Sequence, residues 1–194
     1  IDVLGDTLDE LNETFQVNLT GVVGGAISDS RGIGTITDDD GAPTLSINDV
    51  TVTEEEPSAI FTVTLSAPSS QLVTVNYFTT NGTAFQDFDA TSGTLNFAAG
   101  EISKSIAVPL NDDSLDEAEE TFFVVLSTAT NASVADGYGA ATILDNDLAP
   151  FLSISNTSVT EGNSGTTLAT FTVSLSSASG RGPKTSKSFG SGTT

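Results

Sequence analysis

The sequence contains no cysteine, histidine, tryptophan or methionine, and only 5 of its 194 residues are basic. Each absence excludes a class of chemistry. Without cysteine there is no disulfide framework, no zinc-thiolate cluster and no thiol nucleophile. Without histidine the usual general base is missing, so neither a Ser-His-Asp nor a Cys-His device can be assembled. Any bound metal must then be held by oxygen, which selects a hard cation over zinc or copper. A chain without methionine has no initiator, which predicts a processed product or a fragment of something longer. No apolar run approaches the ~18–20 residues of a membrane-spanning helix, and the opening residues do not read as a signal peptide.

What is abundant is acid. The 26 Asp and Glu residues give a formal net charge of -21. A surface this negative repels phosphate backbones and anionic headgroups, so nucleic acid and membrane surfaces are not expected partners. A hydrophobic content of 37%, with 11 phenylalanines, supports a packed core and argues against disorder.

The chain repeats itself. Asp6-Thr-Leu-Asp-Glu-Leu-Asn-Glu-Thr-Phe15 returns as Asp113-Ser-Leu-Asp-Glu-Ala-Glu-Glu-Thr-Phe122, so that Asp6 maps onto Asp113. Asp38-Asp39-Asp40-Gly-Ala-Pro43 returns as Asp145-Asn146-Asp147-Leu-Ala-Pro150, and Val52-Thr-Glu54 as Val159-Thr-Glu161, at the same offset. Phe61-Thr-Val-Thr-Leu65 returns as Phe171-Thr-Val-Ser-Leu175 at a slightly larger offset, which places a three-residue insertion between Glu161 and Phe171. A period of domain size indicates tandem globular modules rather than a solenoid. The predicted frame is the back part of one module over 1–43, a complete module over 44–150, and the front of a third over 151–180. Residues 181–194 hold three of the five basic side chains and no acid. They read as a flexible or non-native tail.

Within 44–150 the apolar residues recur every second position. Phe61, Val63 and Leu65 alternate with threonines, and Val73, Val75 and Tyr77 with polar residues. Ile106, Val108 and Leu110, then Phe122, Val124 and Leu126, repeat the pattern. Such alternation marks strands with one face to a core and one to water. The breaks carry turn chemistry, as at Asn81-Gly82, Ser92-Gly93 and Asp136-Gly137. The expectation is an all-β fold of tandem antiparallel β-sandwiches, immunoglobulin-like Greek keys of about seven strands per module.

Thirteen of the 16 acids in 44–150 fall into four groups: Glu54 to Glu56, Asp87 with Asp89, six between Asp112 and Glu120, and Asp145 with Asp147. Each group lies between strands or at a strand end. Loops of a Greek-key sandwich gather at two poles, where crowded carboxylates repel one another unless cations neutralise them. Ca²⁺ accepts about six to eight oxygens in flexible geometry and suits such loops better than Mg²⁺. The bland alternative is solvated acids that keep the array soluble and discourage edge pairing. A glycosidase pair reproduced once per module, without an aromatic sugar platform, is not expected, and with histidine missing the chain is predicted not to be an enzyme.

The ordered set Val52-Thr-Glu54, Thr80-Asn-Gly-Thr-Ala84, Asp87-Phe88, Ser92-Gly-Thr-Leu-Asn-Phe97, Asn111-Asp-Asp113, Glu119-Glu-Thr-Phe122 and Ile143-Leu-Asp-Asn-Asp147 resembles the Calx-beta module. That module occurs in sodium/calcium exchangers, in the cytoplasmic tail of an integrin subunit, and in long bacterial surface proteins. The resemblance runs from residue 1 to about 180. It implies a seven-stranded sandwich with Ca²⁺ sites in loops at one pole, near the junction with the next module.

Carried over by position, the implied ligands are Glu54, Asp113, the Leu115 carbonyl, Glu117, Glu120, Asp145, Asn146 and Asp147. In residues 1–43 they are Asp6, Glu10, Glu13, Asp38, Asp39 and Asp40. The third module keeps only Glu161. Asn81, where calcium-binding members often carry Asp, and the uncharged Asn146 imply fewer ions or weaker binding in the complete module. The resemblance further implies a secreted or cell-surface protein, with neighbouring modules and cell-surface or matrix ligands as partners. A metal-independent spacer or adhesion repeat is the rival expectation.

Overall fold

Alternating inward apolar and outward polar side chains organise the computed structural model, which describes residues 1–181 of the chain. Every regular element among the described residues is a strand, and no helix is long and apolar enough to cross a membrane. The first two strands, β1 (Glu13–Asn18) and β2 (Arg31–Ile36), form an antiparallel hairpin of their own. At the far end β12 (Leu152–Ile154) and β13 (Val173–Leu175) form another two-stranded sheet.

Between them lie nine strands: β3 (Thr44–Ile47), β4 (Val50–Thr53), β5 (Ser58–Leu65), β6 (Val73–Asn81), β7 (Ser92–Phe97), β8 (Ser103–Pro109), β9 (Glu120–Thr130), β10 (Ser133–Asp136) and β11 (Tyr138–Leu144). They form two sheets, ordered β10-β3-β5-β8 and β4-β11-β9-β6-β7. The seven strand positions read from the sequence become nine segments because the first and last strands each change sheet midway.

Local chemistry explains the break in the first strand. Asn48 Oδ1 accepts the Thr62 amide at 2.6 Å and keeps this corner tied to β5. One residue later, Asp49 Oδ1 accepts the Ala140 amide at 2.7 Å and ties it to β11. A β-carbon on Gly139 would lie 2.8 Å from the Asn48 carbonyl oxygen and 2.9 Å from the Phe61 ring, so the crossing needs glycine there. β3 thus pairs parallel with β10 and antiparallel with β5, while β4 pairs parallel with β11.

The core lies between the two sheets. Phe61, Val63, Val73, Val75, Phe97, Val108, Phe122 and Val124 are almost fully buried in it. Phe122 stacks on Phe88 with ring centroids 4.2 Å apart and meets Phe61 edge-on at 6.0 Å. Phe88 is contributed by the loop between β6 and β7, so this aromatic contact fastens that loop to the core. Of the predicted tail, only Arg181 falls among the described residues; 182–194 lie outside them.

Candidate metal centre

The inward-facing rows of three strands run on past their last apolar side chain into carboxylates. Val50 and Val52 of β4 are followed at the same parity by Glu54. Ala141 and Ile143 of β11 are followed by Asp145 and Asp147, and Glu120 precedes Phe122 on β9. A period of two directs all four acids toward the interior at one end of the sandwich. Backbone bonding keeps them there: the Glu54 amide donates to the Leu144 carbonyl at 3.2 Å, continuing the β4–β11 pairing.

Asp87 comes from the loop that Phe88 anchors. The Asn111 amide donates to the Asp87 carbonyl at 3.0 Å, and Asn111 Nδ2 donates to the Gln86 carbonyl at 2.9 Å. The loop therefore lies against the acidic segment that leads into β9.

Two groups of carboxylates result. Glu54, Asp145 and Asp147 make one; Asp87, Glu117 and Glu120 make the other; within each, one oxygen per residue lies within 4.8 Å of the others. Asp113 and Leu115 line the same pocket as the second group, with Asp113 Oδ1 accepting the Leu115 amide at 2.7 Å. Asn146 is exposed and belongs to neither group. Asp87 is the one member of the two groups that is not among the ligands implied by the resemblance. Its signal was present, as an acid immediately before a phenylalanine in an interstrand loop.

The electrostatics are unfavourable for bare carboxylates. Burial, with the charges of Asp145 and Asp147, pushes the Glu54 carboxyl up to about 7. Burial and the adjoining Asp87 carboxylate push Glu120 up to about 8, with Glu117 and Glu54 adding to it. Glu117 is raised by burial and then by Asp87, Asp113 and Asp145, so the two groups feel each other across the pole. Among the described residues, three buried side-chain oxygens have no hydrogen-bond partner: Glu54 Oε1, Glu120 Oε2 and Asp147 Oδ2. All three belong to these groups. Buried oxygens without donors are costly, and a cation between them would offset that cost.

In residues 1–43 the six implied ligands, Asp6, Glu10, Glu13, Asp38, Asp39 and Asp40, all line one pocket below the β1–β2 hairpin. They do not come as close to one another as the central groups do. Glu10 and Asp40 are nevertheless raised, by partial desolvation and then by neighbouring acids. The counterparts of Glu54 and Asp87, one repeat earlier, are not part of this sequence. Glu161 is exposed and joins no acidic group among the described residues.

Residues 37–147 match the Calx-beta domain family. This chain belongs to the Calx-beta family. It is 31% identical over 155 residues to the adhesion G-protein coupled receptor V1 of Danio rerio; the match takes in 73% of this chain and 2% of that protein. Among solved structures the Calx-beta sandwich is similar to the apo form of the Calx CBD1 domain, with a TM-score of 0.52 and 24% identity over 54% of this chain and 98% of that one. It is also similar to the calcium binding domain CBD12 of CALX1.1, with a TM-score of 0.51 and 25% identity over 53% of this chain and 44% of that one.

Proposed function

We propose that this Calx-beta chain binds Ca²⁺ at the acidic pole of its central sandwich and serves as a structural module of a larger secreted or cell-surface protein. Glu54, Asp145 and Asp147 would hold one ion, and Asp87, Glu117 and Glu120 another, with Asp113 and the Leu115 carbonyl beside the second. The observation that carries this reading is the set of three buried, unpartnered carboxylate oxygens distributed over both groups. Donors that are all oxygen, carboxylate-rich and set in loops suit calcium and leave no soft ligand for zinc or copper. The bound ion would offset the burial and the carboxylate repulsion that together raise Glu54 and Glu120, and would cross-link β4, β9, β11 and the Asp87 loop. That stiffens the pole facing the next module. The cell-surface setting is supported by the adhesion receptor relative, of which this chain spans only 2%. The role is architectural rather than enzymatic, in keeping with the absence of histidine and cysteine.

Calorimetric titration of the chelator-stripped chain with CaCl₂ tests this directly. Saturable binding is expected, together with a rise in Tm by linkage at millimolar calcium. NaCl of matched ionic strength should give a smaller rise, because screening relieves repulsion without occupying the site. Equal responses to the two salts, without calorimetric binding, would mean that the acids serve only solubility and spacing.

A further inference from the structure

Asp116 of the six-acid loop is buried, yet it belongs to neither carboxylate group. Asp116 is 6% exposed, and its counterpart in the preceding repeat, Asp9, is 7% exposed. Both are buried against a turn of the following module. Asp9 forms an isolated parallel bridge with Ser69, and Asp116 forms one with Ser179. Ser69 and Ser179 are themselves repeat equivalents, related by the same offset as the Phe61 and Phe171 strands. Two contacts thus repeat in register with the two modules that make them.

The backbone bonds repeat as well, while the serine contacts differ: Ser69 Oγ donates to the Asp9 carboxylate and Ser179 Oγ to the Asp116 carbonyl, at 3.5 Å. At the first junction the Asp9 carbonyl accepts the Ser70 amide at 2.9 Å, while its Oδ2 accepts Ser69 Oγ at 2.6 Å and Gln71 Nε2 at 3.3 Å. Ser69 itself is 2% exposed. At the second, the Asp116 carbonyl accepts the Gly180 and Arg181 amides at 3.2 and 3.3 Å, and its Oδ1 pairs with Arg181 Nε at 2.9 Å. In each turn the serine hydroxyl also accepts the amide two residues on, Gln71 at 3.1 Å and Arg181 at 3.2 Å, which pre-forms the receiving surface. The acidic loop is shaped alike on its side, with Asp6 Oδ1 accepting the Leu8 amide at 2.9 Å where Asp113 accepts Leu115 at 2.7 Å.

We infer that Asp9 and Asp116 are metal-independent docking residues, each seating its own module on a serine-led turn of the next module. The partner surface is a turn that offers a hydroxyl, a backbone N–H and, two residues after the serine, a side-chain donor. A buried carboxylate whose oxygens meet such donors needs no cation, unlike its neighbours in the carboxylate groups. The side-chain donor differs between junctions. Gln71 makes the first contact neutral on the receiving side, whereas Arg181 makes the second an ion pair and also reaches Asp145 at 3.6 Å. The partly exposed ion pair is sensitive to salt and the amide contact is not.

Hydrogen exchange of single amides, followed by NMR on the full chain in excess chelator, tests this apart from calcium binding. The Ser70 and Gly180 amides are expected to be protected without metal. Asp9→Ala should accelerate exchange at Ser70 by about tenfold or more and leave Gly180 unchanged; Asp116→Ala should do the reverse. Raising NaCl from low to about 1 M should accelerate Gly180 more than Ser70. Amides of Val63 and Val124 in the core should not respond to any of these changes. Should an aspartate variant unfold the core, Ser69→Ala, which leaves the acidic loop intact, is expected to accelerate Ser70 by itself. Protection at Ser70 that appears only after calcium is added, or that is the same in wild type, Asp9→Ala and Ser69→Ala, overturns the inference.

Discussion

Glu54 and Glu120 are acids whose folded environment prefers the proton. Their carboxyls sit at about 7 and about 8 in the fold, against an ordinary value of 4.5. Between those limits the metal-free folded chain binds more protons than the unfolded chain, so its stability must fall as pH rises. The stability from these groups is fully present below about pH 4.5 and is lost as pH climbs through about 7 to 8. Urea denaturation in chelator should therefore show a lower midpoint at pH 8 than at pH 5.5. An unchanged or rising midpoint would contradict the crowding of these carboxylates. Calcium should reverse the trend, because it needs the ionised forms and binds more tightly as the protons leave.

Replacing Glu54 by glutamine is expected to act in opposite directions with and without metal. In chelator at pH 8 the neutral amide removes the buried charge and should stabilise the fold by about 2–3 kcal/mol. In saturating calcium it deletes one ligand, so the gain in Tm on adding calcium should shrink. Thermal melts of both proteins in both conditions check the pair of outcomes. A variant less stable than wild type in chelator would indicate that Glu54 is held by a favourable partner instead.

At the scale of elements, the site depends on the core behind it. Phe122 lies two residues from Glu120 on β9, and its stacking partner Phe88 follows Asp87. Phe122→Ala should cost about 3–5 kcal/mol by the lost burial and the cavity left behind. Phe88→Ala should weaken calcium binding more than a mutation of equal cost at the other end of the sandwich, since it releases the loop that carries Asp87; calorimetric affinities of the two variants would show it. Gly139→Ala places a methyl against the Asn48 carbonyl and should cost about 1–3 kcal/mol in urea unfolding. These elements were legible in part. Alternation marked Phe61, Val63, Val124 and Leu126 as core because a strand's two faces can be read from its own residues. The switch of β3 into β4 was not legible, because Asn48 and Asp49 gain their meaning only from Thr62 and Ala140, far along the chain.

For the whole molecule, charge and tandem connection act together. A chain with a net charge of -21 repels itself, so its metal-free form should melt at higher temperature as NaCl is added, even with no specific site. Calcium acting through the two carboxylate groups should exceed that salt effect at the same ionic strength. The docked aspartates add a connection between neighbouring modules that needs no calcium and that salt weakens only at the Asp116–Arg181 pair.

Order along the chain was enough to establish the domain-sized repeat, the all-β alternation and the address of the acids at strand ends. These are local properties, and local order is what a linear string records. Which acids meet one another is a matter of the folded arrangement alone. Glu55, Glu56, Asp112 and Glu119 stand in the same runs as Glu54, Glu117 and Glu120, yet they face solvent. Asp87 joins Glu117 and Glu120 across a long stretch of intervening chain, and Asp116 leaves that group to bond with the next module. A carboxylate's role is set by the donors and charges within a few ångströms of it, and those neighbours are chosen by strand pairing between distant segments.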